Sequence, residues 1–464
     1  MNHFLTIGRP YATRYSQACL LIALLSATAL GQDIRRVTEP AFPPVCTRLA
    51  ARLTAIEGGK TLAPGDESKP DTARIQHALD HCSAGHAVEL SPNASDDAFL
   101  SGPLVLRAGV TLRVGKGAIL FASRNPRDYD LFPGSCGGLS KRGHGCKALI
   151  NGDHVPNTGV MGDGIIDGRG WAAIQGKKIS WWQLAREAEV ENTNQNCPRL
   201  IALSHCDNFT LYRISLKNSP NFHVFYHAGN GFTAWGVIID TPETARNTDG
   251  IDPSSATNVT ITHCFIHDGD DDVAIKAGND GPSSHITVSH DHFYTGHGMS
   301  IGSETNGGVS HILASDLSID GADNGLRIKS NSSRGGLVHE VVYRNVCIRN
   351  TKNPILVNSY YPFYGAKPDN ELPTFGEILL QNVRILGAGR ITLDGYNRQH
   401  RLGITFDNVT LRSPTKIEVF AEHARVTLGP GPVNVRPFGE DVEILGAGGQ
   451  GRPYSCKGKF PPLP

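Results

Sequence analysis

The chain carries no excess charge of either sign: 44 lysines and arginines stand against 44 aspartates and glutamates in 464 residues. That balance excludes nucleic acid or an anionic membrane as a default partner, so an anionic ligand has to be met by particular residues or a local basic groove. The sequence lacks an apolar run of about 20 residues, the length a membrane-spanning helix needs. It has no Cys-x-x-Cys pair, which removes support for a zinc-ribbon domain. Long amphipathic helices are scarce, which counts against helical repeats.

What is present begins with an address. Arg9 and Arg14 precede an apolar stretch from Ala18 to Leu25, and small residues follow at Ala27, Ala29 and Gly31. This pattern predicts a secretory signal peptide over residues 1–31, cleaved after Ala29 or Gly31, with residues 32–464 as a single domain working outside the cell. Loss of Cys19 with the leader turns ten cysteines into nine, so at least one thiol stays free. Export permits disulfides. Cys136 and Cys146 share a Gly-rich loop and are expected to pair, as are Cys46 and Cys82, whereas Cys264 and Cys347, within apolar stretches, are expected to be buried thiols.

Glycine is abundant, at 52 residues, and Asn, Ser and Thr recur between short apolar runs. Such a composition suits many short strands joined by turns. From about residue 200 the runs repeat, starting near Phe209, Phe232, Val259, Ile286, Ile312, Val338, Ile378 and Ile404, most of them 23 to 27 residues apart. Within each unit apolar residues alternate, as in Val259 and Ile261 or Ile286 and Val288, which means strands with one buried face. A unit this small cannot bury that face alone, so the units must stack as a solenoid. Several short strands per unit and irregular turn lengths select an all-β, right-handed parallel β-helix. Enlarged turns on one side are where a groove is built. Upstream, Asp71 to Cys82 predicts a short helix with Asp71 as N-cap and Ile75, Ala78, Leu79 and Cys82 on one face, capping the open end of the stack.

Neighbouring coils concentrate polar residues that a structural solenoid does not need. Asn247, Thr248, Asp249 and Gly250 lie on the first, and Gly269, Asp270, Asp271 and Asp272 on the next. Neighbouring carboxylates repel, which raises one pKa and divides the group into an acid and bases, as glycosidic bond cleavage requires. A calcium site is the competing interpretation, but the full set of EF-hand ligand offsets is missing. One coil further, His297 sits between Gly296 and Gly298, an arrangement that would let the backbone approach a ligand. In the following coil strand alternation points Arg327 and Lys329 to one face, opposite Leu326 and Ile328, and a same-face cation pair beside carboxylates suits an anionic sugar. His290 and His292 share a face at strand spacing, but lack further ligands for a metal.

The motifs NTDG (Asn247 to Gly250), GDD (Gly269 to Asp271), GHG (Gly296 to Gly298) and RIK (Arg327 to Lys329) are common singly and specific in this order and spacing. Together they resemble the polygalacturonases of glycoside hydrolase family 28. The resemblance runs over roughly residues 55 to 430 and includes SWWQLA (Ser180 to Ala185), NCPRLI (Asn196 to Ile201) and NSPNFHV (Asn218 to Val224), phrases similar to the endo-acting enzymes of Gram-negative plant-degrading bacteria. It implies the pectin-lyase-like β-helix and endo-acting, inverting hydrolysis of α-1,4-galacturonosyl bonds in polygalacturonate, without cofactor or metal, by a secreted monomer. It further implies Asp270 as general acid, Asp249 and Asp271 as the pair activating water, and His297 as their support. Arg327 and Lys329 would bind a galacturonate carboxylate, with Asn247 also in contact with substrate. Tyr361 would line the groove, Tyr360 beside it being the alternative. The family pattern leaves Asp272 a bystander, whereas strand alternation alone would pair it with Asp270. Placing Asp270 and Asp271 together then requires a departure from strand geometry. Exo action, a calcium-dependent pectate lyase and a non-catalytic polysaccharide-binding β-helix remain as alternatives, and the presence of GHG and RIK argues against a rhamnogalacturonan hydrolase.

Overall fold

The computed structural model describes residues 32–141, 143–362 and 370–464; the signal peptide expected over residues 1–31 lies outside them. Apolar alternation is expressed as a right-handed parallel β-helix. Each coil supplies up to three strands, and each strand pairs in parallel with its counterparts one coil before and one coil after. Stacking answers the problem of the small repeat, because every strand edge inside the stack finds a partner and every inward side chain a neighbour above and below.

One column consists of long strands: Phe209–Tyr212, Asn230–Trp235, Thr257–Thr262, Ser283–Ser289, Val309–Ser315, Val341–Arg349, Ile378–Ile385 and Leu402–Leu411. Phe209, Phe232, Val259, Ile286 and Ile312 stand in register in it, as the repeat predicts. Val338 does not. It pairs with Val309, three residues ahead of Ile312, and the residue in register with Ile312 is Val341; the coil carries no insertion, and Val338 stands one turn ahead of the aligned position. The residue just ahead of the in-register position has positive φ in coil after coil: Asn208, Asn258, His285, His311, Glu340 and Glu377.

The column that concerns function is an 11-stranded parallel sheet. Its strands are β1 (Leu104–Val105), β2 (Ile150–Asp153), β3 (Ile201–Ser204), β4 (Val224–His227), β5 (Ile251–Ser254), β6 (Val273–Ile275), β7 (Met299–Ile301), β8 (Asn324–Lys329), β9 (Asn353–Asn358), β10 (Gly389–Asp394) and β11 (Ile417–Glu422). Ile201, Val224, Ile251, Val273, Met299, Leu326 and Ile355 align from strand to strand and are all buried. Burying each such side chain contributes about 1.5–3 kcal/mol, and the alignment fixes which residues face outward in successive coils.

Helix α1 (Thr72–His81) buries Ile75, Ala78 and Leu79 at the N-terminal end of the core. Asp71 occupies the N-cap position, but its carboxylate makes no cap bond; it accepts from Arg74 Nε at 2.9 Å instead. Helix α2 (Trp181–Val190) starts at a capping box, in which the Ser180 hydroxyl accepts from Gln183 N and the Gln183 side chain accepts from Ser180 N. Trp181 is buried against Tyr129, so α2 is pinned to the coil stack through its first residue.

The disulfides Cys46–Cys82 and Cys136–Cys146 form as expected, and Cys264 is a buried free thiol. Cys347 is not a thiol. It bonds Cys456, 109 residues downstream in the aperiodic tail, and the tail then lies along the outside of the coils, with Phe460 under Arg349 and Pro461 O accepting from the Tyr294 hydroxyl. Cys197 and Cys206 are the other free thiols among the described residues.

Candidate active site

The register of the groove sheet brings the sequence motifs together. Asp249, Asp271 and His297 each lie two residues ahead of Ile251, Val273 and Met299, which pair with one another across β5, β6 and β7. One strand on, Leu326 and Ile328 point into the core while Arg327 and Lys329 project from the opposite face of β8. Asp270 and Asp271 sit on a bend before β6 begins, so the required departure from strand geometry is a turn and not a bulge. The bend is held by its own carboxylates: Asp270 N donates to Asp268 Oδ1 at 3.1 Å, and Asp271 N donates to Asp270 Oδ1 at 3.0 Å.

The glycines around His297 serve close packing between coils and not approach to a ligand. A Cβ at Gly298, whose φ is +69°, would lie 2.2 Å from Gly325 O, and one at Gly296, φ +90°, would lie 2.4 Å from Asp270 O. Asp272, the expected bystander to the chemistry, has a structural place. It is fully buried and accepts from Gly298 N at 2.8 Å, which ties the GHG turn to the Asp270 bend.

Asp271 is the most strongly held carboxylate. Its Oδ1 accepts from Arg327 Nη1 at 3.0 Å and from the Ser300 hydroxyl at 2.6 Å, and its Oδ2 accepts from Lys329 Nζ at 2.6 Å. Burial opposes ionisation, but Lys329 and Arg327 outweigh it and hold the carboxyl well below the usual range. Asp270 accepts from Asn247 Nδ2 at 3.3 Å and faces His297 Nδ1 at 3.2 Å. Burial again works upward, and the hydrogen bond and charge of His297 bring the Asp270 pKa down. The imidazole responds in kind: burial pulls it down, Asp270 pulls it up, and the net direction is up, toward imidazolium.

Asp249 behaves in the opposite way. Burial, then the charge of Asp270, raises it well above an ordinary carboxyl even though Lys276 Nζ lies 3.2 Å from Oδ2. Asp268 and Asp272 are also raised well above the usual range, in each case first by burial. Packing so many carboxyls together makes them titrate as a set, within which burial and Asp270 push Asp249 up while His297 draws Asp270 down.

Several participants carry no motif. Lys276 ends the stretch VAIK, pairs with both Asp249 and Asp252, and is held protonated by them against burial. Asp252 is raised to about 6 by burial, with Lys276 opposing. Gln195 Nε2 donates to Asn247 Oδ1 at 2.9 Å and so orients the amide that meets Asp270. His223 is buried and held neutral, its pKa lowered to about 4 by burial; with Nδ1 donating to the carbonyls of Thr248 and Asp249, Nε2 accepts from the Thr241 hydroxyl. It fixes the backbone of the NTDG turn. Alternation along β5 and β6 could have flagged Asp252 and Lys276 as outward-facing, and His223 lies within the phrase NSPNFHV; nothing local marks Gln195.

The ring of Tyr361 lies 5.1 Å from Lys329 Nζ and 5.4 Å from the Arg327 guanidinium carbon. Tyr360 stacks on Tyr396 instead and bonds its backbone carbonyl. An open groove extends from this cluster along the outward face of the sheet. A cavity of about 370 Å³ is lined by His144, Lys147, Arg199 and Asn247. It shares Lys147 and Arg199 with one of about 530 Å³ beside Phe225 and His227, and Asn247 with one of about 430 Å³ that reaches Arg246 and Tyr361. Past His297 a cavity of about 300 Å³ continues toward Lys352. Lys147, Arg199 and Arg246 thus line the cavities on one side of the carboxylates.

With this geometry in view, known proteins are informative. Residues 82–426 match the model of the glycosyl hydrolases family 28. The chain belongs to that family. This family 28 hydrolase is 43% identical over 400 residues to an endo-polygalacturonase of Pectobacterium carotovorum subsp. carotovorum, covering 86% of this chain and 94% of the relative. It is 37% identical to a polygalacturonase of Ralstonia nicotianae, with 97% of each covered. The solved polygalacturonase from Erwinia carotovora ssp. carotovora superposes with a TM-score of 0.79 at 42% identity, over 85% of this chain and all of that one.

Asp270, Asp271 and His297 of this family 28 chain also lie close enough to share a metal ion. They are poorly suited to one. Both oxygens of Asp271 are already engaged by Arg327, Lys329 and Ser300, and the two cations would repel an incoming ion.

Proposed function

We propose that this chain is a secreted endo-polygalacturonase, a monomer that hydrolyses α-1,4-galacturonosyl bonds within polygalacturonate with inversion. The observation that carries the reading is the meeting of Asp249, Asp270 and Asp271 with the Arg327, Lys329 and Tyr361 cluster in an open cationic groove. A galacturonate carboxylate can share Arg327 and Lys329 bidentately with Asp271, while Tyr361 stacks against the ring. Its added negative charge beside Asp270 works against the cation of His297, raises the Asp270 pKa, and moves the proton from Asp249 to Asp270 as substrate binds. Asp270 then protonates the leaving oxygen, and Asp249, now ionised, activates water with Asp271 on the other side of the sugar ring. Direct attack by water inverts the anomeric centre and requires the acid and base about 6.5–9.5 Å apart.

The groove runs on both sides of the carboxylates, which supports cleavage within a chain. The leader expected over residues 1–31 and three disulfides support export. Product analysis on polygalacturonate with chelator present tests the reading. A ladder of saturated oligomers is expected. Monomer alone would mean exo action, and unsaturated products absorbing in the ultraviolet, lost in chelator, would mean a lyase.

A further inference from the structure

Outside the groove, His339 Nδ1 and carboxylate oxygens of Glu340 and Glu377 lie within 4.8 Å of one another. His339 Nδ1 is 3.5 Å from Glu340 Oε2 and 3.6 Å from Glu377 Oε2, and His311 Nδ1 is 3.1 Å from the same Glu340 oxygen. Zinc bonds of about 2.0–2.1 Å at tetrahedral angles place neighbouring ligand atoms about 3.3 Å apart. The two His339 spacings lie close to that tetrahedral edge.

The register holds the donors there. His311, Glu340 and Glu377 occupy the same positive-φ position in three successive coils, each one residue ahead of the paired Ile312, Val341 and Ile378. His339 precedes Glu340 between the paired Val338 and Val341, at the place Ser310 has one coil earlier. His285, one coil earlier, stacks on His311 with ring centroids 4.6 Å apart and steadies it. All the ion pairs of Glu340 and Glu377 seen among the described residues are to histidine, so neither carboxylate is neutralised by lysine or arginine in the way Asp271 is.

We propose that His339, Glu340 and Glu377 form a binding site for a divalent transition metal of the zinc type, with His311 steadying Glu340 from the preceding coil, on a side turn away from the groove. Mixed imidazole and carboxylate donors favour zinc, copper or nickel over calcium and magnesium, which take oxygen ligands. Because the donors come from two coils aligned only by folding, the metal binds the native chain and stabilises it.

The test is calorimetric titration of the untagged, chelator-stripped chain with zinc chloride, with Tm followed in parallel. One zinc per chain and a rise in Tm with zinc are expected. Glu377→Gln, at a side chain 72% exposed and so harmless to folding, should weaken binding at least tenfold, and His339→Ala with Glu377→Gln should abolish it, with polysaccharide hydrolysis unchanged in both. His205→Ala, in the exposed cluster with Asp153 and His154, should leave zinc binding intact. Absence of stoichiometric zinc, binding indifferent to Glu377→Gln and the double variant, or binding lost in His205→Ala would each overturn the site.

Discussion

Replacing His297 by Asn decides which carboxyl delivers the proton. The imidazole Nδ1 lies 3.2 Å from Asp270 Oδ1, and the two side chains are 30% and 18% exposed. A unit charge at that distance interacts by about 1.3 kcal/mol at the dielectric of water and about 5 kcal/mol at an effective dielectric of 20. Partial exposure places the pair toward the lower figure, and removing the cation raises the Asp270 pKa. The sign is the useful part. If Asp270 is the acid, activity is lost as Asp270 deprotonates, so raising its pKa moves the alkaline limb of the kcat/KM profile to higher pH and leaves the acidic limb in place. The maximum also falls, because Asp270 loses the partner that orients it. Reducing-end release from polygalacturonate, measured from pH 3 to pH 8 at constant ionic strength, gives both limbs, and kcat/KM reports the free enzyme. An acidic limb that moves upward while the alkaline limb stays would refute the assignment: Asp270 would then act ionised, and Asp249 would be the acid.

Lys329→Met leaves one oxygen of a carboxylate that is 1% exposed without its cation, and breaking a buried pair costs about 3–5 kcal/mol. A lower urea midpoint and a raised KM are expected together. Cys456→Ser opens a cross-link closing 109 residues; chain entropy for a loop of that size approaches about 4.7 kcal/mol, with about 2–4 kcal/mol typical. Denaturation should show that loss, and limited proteolysis should reach the tail after Leu445. Gly298→Ala forces a Cβ to within 2.2 Å of Gly325 O at positive φ and should displace His297 and abolish activity, whereas Gly138→Ala, with no neighbour within 4 Å, should be silent in the same assay.

What was legible in the sequence follows the range of the interactions involved. Alternation is local, so Val259 with Ile261 or Ile286 with Val288 disclosed the strands, and their near-constant interval disclosed the stacking. The repeat was misplaced only at Val338, because Val338 and Val341 both face inward and alternation alone does not say which is the counterpart of Ile312 and which of Val309. Helix α2 was within reach, since Ser180 and Gln183 ahead of Leu184 and Ala185 are a capping-box pattern. Cys347 was misjudged because its apolar surroundings are local while its partner is 109 residues away in a tail without periodicity.

The motifs located the site, but not its electrostatics. NTDG, GDD, GHG and RIK name residues in four coils, and the direction of each pKa depends on what the coil above or below brings within about 3 Å. Lys329 and Arg327 reach Asp271 from two strands away, His297 reaches Asp270 from the next coil, and Asp249 receives only Lys276, which it shares with Asp252. A single extra negative charge at Arg327 and Lys329 therefore bears on all three carboxylates at once. That is why the resting order of Asp249 above Asp270 is compatible with the reverse order during catalysis, and why substrate charge, and not the bare protein, would set which of them is the acid.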